Sequence, residues 1–301
     1  MRLSSRAAFF ALILIVFRYA AAVLLALLKI ENPFLQVVFN YILAFGLPCI
    51  IYFAVTKNDV KTTLSLKPLN PVNVVFVILI SVCIQPAIYF LSALSSLLFP
   101  NEVSAYLNNY GSTSLIVLLV TLAVLPAVFE EICYRGIVFS DYGNVGIKKA
   151  AAATGFIFAI AHLSAQQFLY AFLLGAVFCL MVYYTKSIFA SMLSHLIING
   201  MQVTLFKMVS VYSAQNPAIV SPEVTTSSAV LYLGAAFVIS LPILLFVFFN
   251  FIKYNSDKNK IVFSADESVL IHNPDPENEE KVISIPLILI TLFYIFAVIV
   301  M

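Results

Sequence analysis

The sequence predicts an all-α integral membrane protein, a polytopic bundle of eight or nine transmembrane helices. Of its 301 residues, 62% are hydrophobic and only 10% are charged, whereas about a quarter of an average soluble chain is charged. Apolar runs long enough to cross a bilayer, which takes about 20 residues per helix, fill most of the chain. These runs lack period-2 alternation, and backbone in lipid must form its hydrogen bonds internally, so helices are favoured over a barrel.

Nine apolar segments can be placed along the chain. The fifth is short and the ninth begins near Pro286, so eight spans are the alternative to nine. The first segment continues past Arg18 to Leu28, which favours a retained anchor over a cleaved signal peptide. The predicted spans are 7–28, 34–55, 72–98, 114–139, 149–163, 166–184, 187–207, 229–252 and 284–301.

The distribution of basic residues predicts a cytoplasmic N-terminus. With this orientation twelve Lys and Arg residues fall in cytoplasmic loops and two, Lys29 and Lys207, fall in outer loops. Such an excess follows the positive-inside rule and predicts a multi-pass protein of the cell membrane. The polar segment 253–283, which contains His272, is predicted to be a solvated cytoplasmic linker without a catalytic part. The net charge of +2 gives no reason to expect a nucleic-acid partner.

The fourth predicted span contains three ionisable residues, each of which costs about 2.5–3.5 kcal/mol on membrane-insertion scales. Glu131 and Arg135 stand at i, i+4, so we expect them to pair on one helical face. Glu130 is then left without a cation on its own helix and is a candidate general base. Pro126 precedes Glu130 by four residues and should kink the helix beside it. A purely structural charge pair would explain Glu131 and Arg135 but not the second acid.

Polar residues recur in the fifth and seventh predicted spans. Phe158 and His162 share a helical face, and His195 and Asn199 again stand at i, i+4. Polar side chains within a span face the bundle interior or a water-filled cavity, although either pair alone could be ordinary helix-helix hydrogen bonding. Because these residues and the two acids all fall in spans four to seven, we predict one shared site.

Three motifs resemble those of a known family. Glu130-Glu131-x-x-x-Arg135, Phe158-x-x-x-His162 and His195-x-x-x-Asn199 are similar, in order and spacing, to the motifs of the CPBP intramembrane proteases. This Abi-domain family includes type II CAAX prenyl endopeptidases (CAAX prenyl protease 2-like), lysostaphin resistance protein A-like proteins and bacteriocin self-immunity proteins. The resemblance covers about residues 112–205.

The resemblance implies a glutamate-type endopeptidase that hydrolyses membrane-associated peptides or proteins. It implies that Glu130 activates a water, that His162 orients this water, and that His195 and Asn199 stabilise the oxyanion. Glu131, Arg135 and Phe158 would support the site. The expected partners are the lipid bilayer and a membrane-embedded or lipidated peptide or protein substrate. We predict N-terminal helices over 1–111, a catalytic core over 112–207, and C-terminal helices with the cytoplasmic loop over 208–301.

Other functions remain open. A zinc metalloprotease could use the same residues, but nothing like His-Glu-x-x-His occurs, so we predict no metal ion or cofactor. A proton-coupled transporter would need inverted repeats and broken helices, neither of which is apparent. A non-catalytic immunity or peptide-binding protein would use the same pocket as a receptor.

The predicted depths of the site residues do not agree. At 1.5 Å per residue, Glu130 and His195 lie about 12–14 Å from the cytoplasmic ends of their spans, while His162 lies nearer the outer end of its own. A tilted or late-starting fifth span would bring them to one level.

Overall fold

The computed structural model describes residues 3–101, 103, 107, 112–143, 145–216, 226–262 and 281–300, and this part of the chain contains helices and no strand. Within this part of the chain, seven helices are long and apolar enough to cross a membrane. The prediction of an all-α polytopic membrane protein is therefore confirmed. The seven are α1 (Leu3–Leu27), α2 (Pro33–Thr56), α3 (Pro71–Ser95), α4 (Leu115–Asp141), α6 (Ala165–Thr185), α7 (Ile188–Gln215) and α8 (Thr226–Val262).

Two further apolar helices are shorter. α5 (Ile147–Ala161) has 15 residues and α9 (Ile285–Val300) has 16, and a single helical turn, Val60–Thr63, follows α2. These are the two segments that the sequence also left open, so the number of spans stays a prediction. The cytoplasmic position of the N-terminus stays a prediction as well.

One predicted boundary is wrong. The linker was expected to begin at residue 253, but α8 continues as a helix to Val262. The physical reason is a buried pair of amides, in which Asn73 of α3 and Asn255 of α8 each donate to the other's side-chain oxygen at 2.8 and 2.9 Å. The rest of the predicted linker, residues 263–280 with His272, lies outside the described residues.

Three stretches of wider π-helix interrupt α2 and α4. Ile42–Gly46 ends two residues before Pro48, and Val120–Val124 ends two residues before Pro126. Proline cannot donate to the carbonyl four residues earlier, and the backbone adjusts to a wider turn. The third stretch, Ile132–Val138, directly follows the acid pair of α4. A π-helical turn thus precedes Pro126 on the N-terminal side of the acids, and the kink expected at this proline stays a prediction.

The interior contains two hydrophobic clusters, and α6 contributes to both. One cluster joins α1, α2, α4, α5 and α9, and the other joins α3, α7 and α8. α5 and α6 cross where Gly155 faces Gly175, so closely that a Cβ added to Gly175 would lie 2.6 Å from Gly155 Cα. The small residues let the two backbones approach, as is common between membrane helices, and this crossing positions the end of α5 that carries His162.

A polar cluster ties α1 to the ends of α2 and α4. Asp141, which is buried, accepts a hydrogen bond from Arg6 Nε at 2.8 Å and one from the Tyr52 hydroxyl at 2.9 Å. Asn58 donates to the same hydroxyl at 3.2 Å. α1 is thereby held against the helix that contains the acid pair.

Candidate active site

A cavity of about 550 Å³ opens between α1, α2, α4, α5, α6 and α7. It is lined by five of the residues singled out in the sequence, namely Glu130, Phe158, His162, His195 and Asn199. Glu131 and Arg135 do not line it but lie directly behind His195. The helices therefore bring the three motifs to one pocket, as the sequence predicted.

Glu130 is half-buried in the cavity wall. Among the described residues its one hydrogen-bond donor is the Tyr41 hydroxyl, 3.3 Å from Oε1. No described cation forms an ion pair with it. The other carboxylate oxygen thus has no protein donor within the described part of the chain. A general base needs such an open oxygen to take a proton from a water in the cavity.

Glu131 is fully buried and binds two partners through a single oxygen. Arg135 Nη1 donates to Glu131 Oε1 at 3.0 Å, and His195 Nδ1 contacts the same oxygen at 2.7 Å. The predicted i, i+4 pair between Glu131 and Arg135 is confirmed, and both side chains are 0% exposed. The bond to His195 was not predicted. It means that one carboxylate neutralises the arginine and also orients the imidazole of α7.

Phe158 lies at the centre of the site. Its ring contacts His162 with centroids 4.7 Å apart and His195 with centroids 6.2 Å apart, both edge-to-face. The Arg135 guanidinium lies 4.2 Å from the centroid of the same ring, a distance at which a cation is attracted to the π face. Phe158 therefore fixes both imidazoles in relation to the buried ion pair.

The hydrogen bonds assign the imidazole tautomers. His162 Nδ1 lies 2.7 Å from the Phe158 carbonyl, and a carbonyl oxygen can only accept, so Nδ1 carries the proton. In the neutral ring Nε2 of His162 is then an acceptor. The same reasoning holds for His195, whose Nδ1 contacts the Glu131 carboxylate. Its Nε2 can donate to a ligand only when both ring nitrogens carry a proton.

Asn199 has a structural contact that the sequence did not reveal. Its Nδ2 donates to the Leu122 carbonyl at 3.0 Å. Pro126, four residues after Leu122, has no N–H for this carbonyl, so the asparagine satisfies a group that the proline leaves open. An amide nitrogen has two protons, and the second one remains for a ligand in the cavity.

Several other polar residues that line the cavity were missed in the sequence. Tyr41 and Asn40 come from α2 and Arg18 comes from α1, all outside the three motifs. Gln202 extends the polar stripe of His195 and Asn199 by one turn. Polar side chains within a span face the bundle interior or a cavity. This rule, if applied to every span and not only to those with motifs, would have indicated these residues.

His162 lies at the end of α5 and lines the same cavity as Glu130 and His195, although their predicted depths differ. His162 is the residue at which the helix terminates, and Leu163 adopts a left-handed φ of 56° that turns the chain into α6. With only 15 residues in α5, the histidine reaches the cavity shared with Glu130. Among the described residues, no group of three or more His, Cys, Asp or Glu side chains is arranged to hold a metal ion.

Apolar helices thus surround a cavity that is lined by an acid, two imidazoles and an amide. Residues 112–201 match the family model described as Type II CAAX prenyl endopeptidase Rce1-like. This matched segment contains the three motifs and is similar to that family, which supports the resemblance that the motifs indicate. No curated protein and no solved structure matches the chain. The family is one of peptide hydrolases, and the chain is a multi-pass membrane protein.

Proposed function

We propose that this protein is an intramembrane endopeptidase of the glutamate type, resident in the cell membrane, that hydrolyses peptide bonds of membrane-embedded or lipidated peptides and proteins. The observation that carries the proposal is that the two adjacent acids have different surroundings. Glu131 is committed to Arg135 and His195, while Glu130 lines the cavity with one oxygen not bonded to any described residue.

The proposed reaction begins with a water between Glu130 and His162. Glu130 takes one proton from the water, and His162 Nε2, an acceptor in the tautomer fixed by Phe158, accepts a hydrogen bond from the other. The water oxygen attacks the carbonyl carbon of the peptide bond. Glu130 then passes its proton to the leaving nitrogen, so that one water and one amide yield a carboxylic acid and an amine.

The tetrahedral intermediate carries a negative oxygen that needs donors. The second N–H of Asn199 and Nε2–H of a His195 ring with both nitrogens protonated are suited to this part, because hydrogen bonds to α4 hold both side chains in place. Removal of one such donor typically lowers kcat by about 10²–10³-fold. Glu131 and Phe158 act as positioning residues because they contact the catalytic imidazoles, and Arg135 acts through both of them.

The substrate is proposed to be membrane-borne because the cavity lies within the apolar bundle. The matched family description names a CAAX prenyl endopeptidase, and a prenylated peptide is accordingly the first lipidated substrate to test. The amide-bearing residues Gln36, Asn40, Gln167 and Gln202 line the cavity and can form hydrogen bonds with the backbone of an extended peptide.

The test is cleavage of fluorogenic membrane peptides, with and without a prenyl group, by the purified protein in lipid nanodiscs. Glu130→Gln should lower kcat by about 10²–10⁴-fold, the usual contribution of a general base. Glu31→Gln, which removes an exposed carboxylate outside the cavity, is the matched control and should be active. Full activity of Glu130→Gln would overturn the proposal. Loss of activity on exhaustive chelation, with recovery on adding zinc, would replace the glutamate mechanism by a metal-dependent one.

A further inference from the structure

Arg18 is the one described residue of the cavity wall with a permanent positive charge. It belongs to α1, outside the segment 112–201 that matches the family model. An arginine within a span is costly and usually pairs with an acid, donates to a backbone carbonyl or marks a ligand path. Within the described part of the chain Arg18 forms no ion pair, so the first explanation does not account for it.

The guanidinium of Arg18 is anchored by one nitrogen only. Nη1 donates to the Ala161 carbonyl at 2.9 Å, and Nε and Nη2 donate to no described group. Guanidinium presents five N–H donors in a planar fork that matches a carboxylate. The anchor therefore fixes the side chain in the cavity wall while it leaves donors for an anionic ligand.

The anchoring carbonyl places this charge beside the proposed chemistry. Ala161 directly precedes His162, and both line the same cavity as Arg18 and Glu130. An extended peptide advances about 3.3–3.6 Å per residue, so a carboxylate only a few residues from the scissile bond can reach the guanidinium. Glu130 lines the same cavity and would repel a carboxylate placed beside it. A substrate carboxylate is therefore more stable beside Arg18 than beside Glu130.

We propose that Arg18 is a specificity-determining residue that binds a carboxylate of the membrane-borne substrate. This inference rests on the proposed endopeptidase function and names a property of its substrates. The carboxylate can be the C-terminus of a peptide or the side chain of an Asp or Glu close to the cleavage point. In either case the peptide is recognised by a negative group that forms charge-assisted hydrogen bonds with the guanidinium.

The experiment measures binding and therefore does not depend on cleavage. The Glu130→Gln protein is placed in nanodiscs of zwitterionic phosphatidylcholine and titrated with three fluorescent apolar peptides of one sequence. The first ends in a free carboxylate, the second ends in a carboxamide, and the third is the carboxamide with one Asp near its end. We expect the Kd of the carboxamide to exceed that of one carboxylate-bearing peptide by about 10- to 100-fold.

Substitution of Arg18 identifies the group responsible. Arg18→Gln should reduce that ratio to about 1, and Arg18→Lys should restore part of it, because an ammonium keeps the charge but loses the planar fork. Lys29→Gln, which removes a cation at the end of α1 outside the cavity, is the matched control and should keep the ratio. In the Glu130-containing protein, Arg18→Gln should raise KM for the carboxylate-bearing peptide and leave KM for the carboxamide unchanged.

Each outcome bears on Arg18 separately from catalysis. A ratio that persists in Arg18→Gln, or a ratio near 1 in the protein with Arg18, would overturn the inference. Binding that depends on Arg18 only in nanodiscs with anionic lipid, and equally for all three peptides, would assign the residue to a lipid phosphate and also overturn it. If Arg18 discriminates among the peptides but no peptide is cleaved by the Glu130-containing protein, the proposed function fails and the carboxylate site stands.

Discussion

Replacement of Glu131 by Gln should destabilise the protein because it leaves Arg135 charged and buried. Both side chains of this pair are 0% exposed and 3.0 Å apart. Removal of one partner of a buried ion pair typically costs about 3–5 kcal/mol, since the remaining charge loses its counterion. We therefore expect Glu131→Gln to lower the free energy of unfolding by about that amount, which reduces the folded-to-unfolded ratio by a factor of roughly 10²–10³ or more.

The third partner makes the effect asymmetric. In Arg135→Met, Glu131 keeps its hydrogen bond with His195, whose Nδ1 lies 2.7 Å from the carboxylate. The cost of Arg135→Met should therefore be smaller than that of Glu131→Gln. The double variant removes both permanent charges and should be more stable than Glu131→Gln alone, which gives a coupling free energy within the roughly 0.5–3 kcal/mol found for contacting residues.

The assay is reversible unfolding in mixed micelles with increasing sodium dodecyl sulfate, followed by circular dichroism. Glu130→Gln is the matched control, because this neighbouring carboxylate has a single contact of 3.3 Å with a described donor and should change the free energy of unfolding by no more than about 1 kcal/mol. Equal losses for the two glutamine variants, or strictly additive effects in the double variant, would refute the reasoning about the buried pair.

Two further predictions concern packing and pH. Gly155→Ala should lower the thermal midpoint clearly, because its Cβ would lie 2.8 Å from a backbone nitrogen of α6, whereas Gly200→Ala, whose nearest neighbour is a Leu side chain at 3.8 Å, should be tolerated. Lys186 lies between α6 and α7, where burial, followed by the nearby Lys67, lowers its pKa to about 8. A lysine whose pKa is lower in the folded than in the unfolded protein destabilises the folded state at pH values below the folded-state pKa. This destabilisation is lost as the pH rises to the pKa of the unfolded state. Lys186→Met should therefore raise the thermal midpoint at pH 6–7, and the increase should disappear near pH 10.

Both of these predictions have a definite contrary result. Equal thermal midpoints for the two glycine variants would show that the α5–α6 crossing can accommodate an added methyl group. A Lys186→Met effect that is constant from pH 6 to pH 10 would mean that the contribution comes from the aliphatic chain or from the contact of Lys186 with the Tyr183 ring, and not from the charge.

The fold could be predicted because membrane insertion leaves a strong signal in composition. Each long apolar run became a helix, and the short fifth segment, predicted as 149–163, is the helix Ile147–Ala161. Helix ends in water-facing segments were predicted less well, since no lipid boundary marks them. The extension of α8 depends on the amide pair between Asn73 and Asn255, two residues that are far apart in the sequence and carry no local signature.

For the candidate site, residue spacing predicted the contact within one helix but not the contacts between residues of different helices. The Glu131–Arg135 pair follows from i, i+4 positions alone. The acceptors of His195 and Asn199 lie on a different helix, α4, so only tertiary structure could reveal them. Arg18 was placed correctly within a span, but nothing in the sequence indicated which cavity it would line. The proposed roles of the catalytic residues and the division of the chain at 111 and 207 stay predictions.

The wide turn Ile132–Val138 has a consequence for how this sequence can change in length. The turn accommodates one more residue than an α-helix would, and its hydrogen bonds run to residues five positions away. Deleting a single residue there would let the backbone relax to an ordinary α-helix while the segments on either side keep nearly the same phase, because the wide turn already absorbs one residue. The same deletion in a regular α-helical segment would rotate everything beyond it by about 100°. The stretch Ile132–Val138 is therefore a part of α4 in which the sequence can lose one residue without turning the end of the helix, including Asp141, away from its partners.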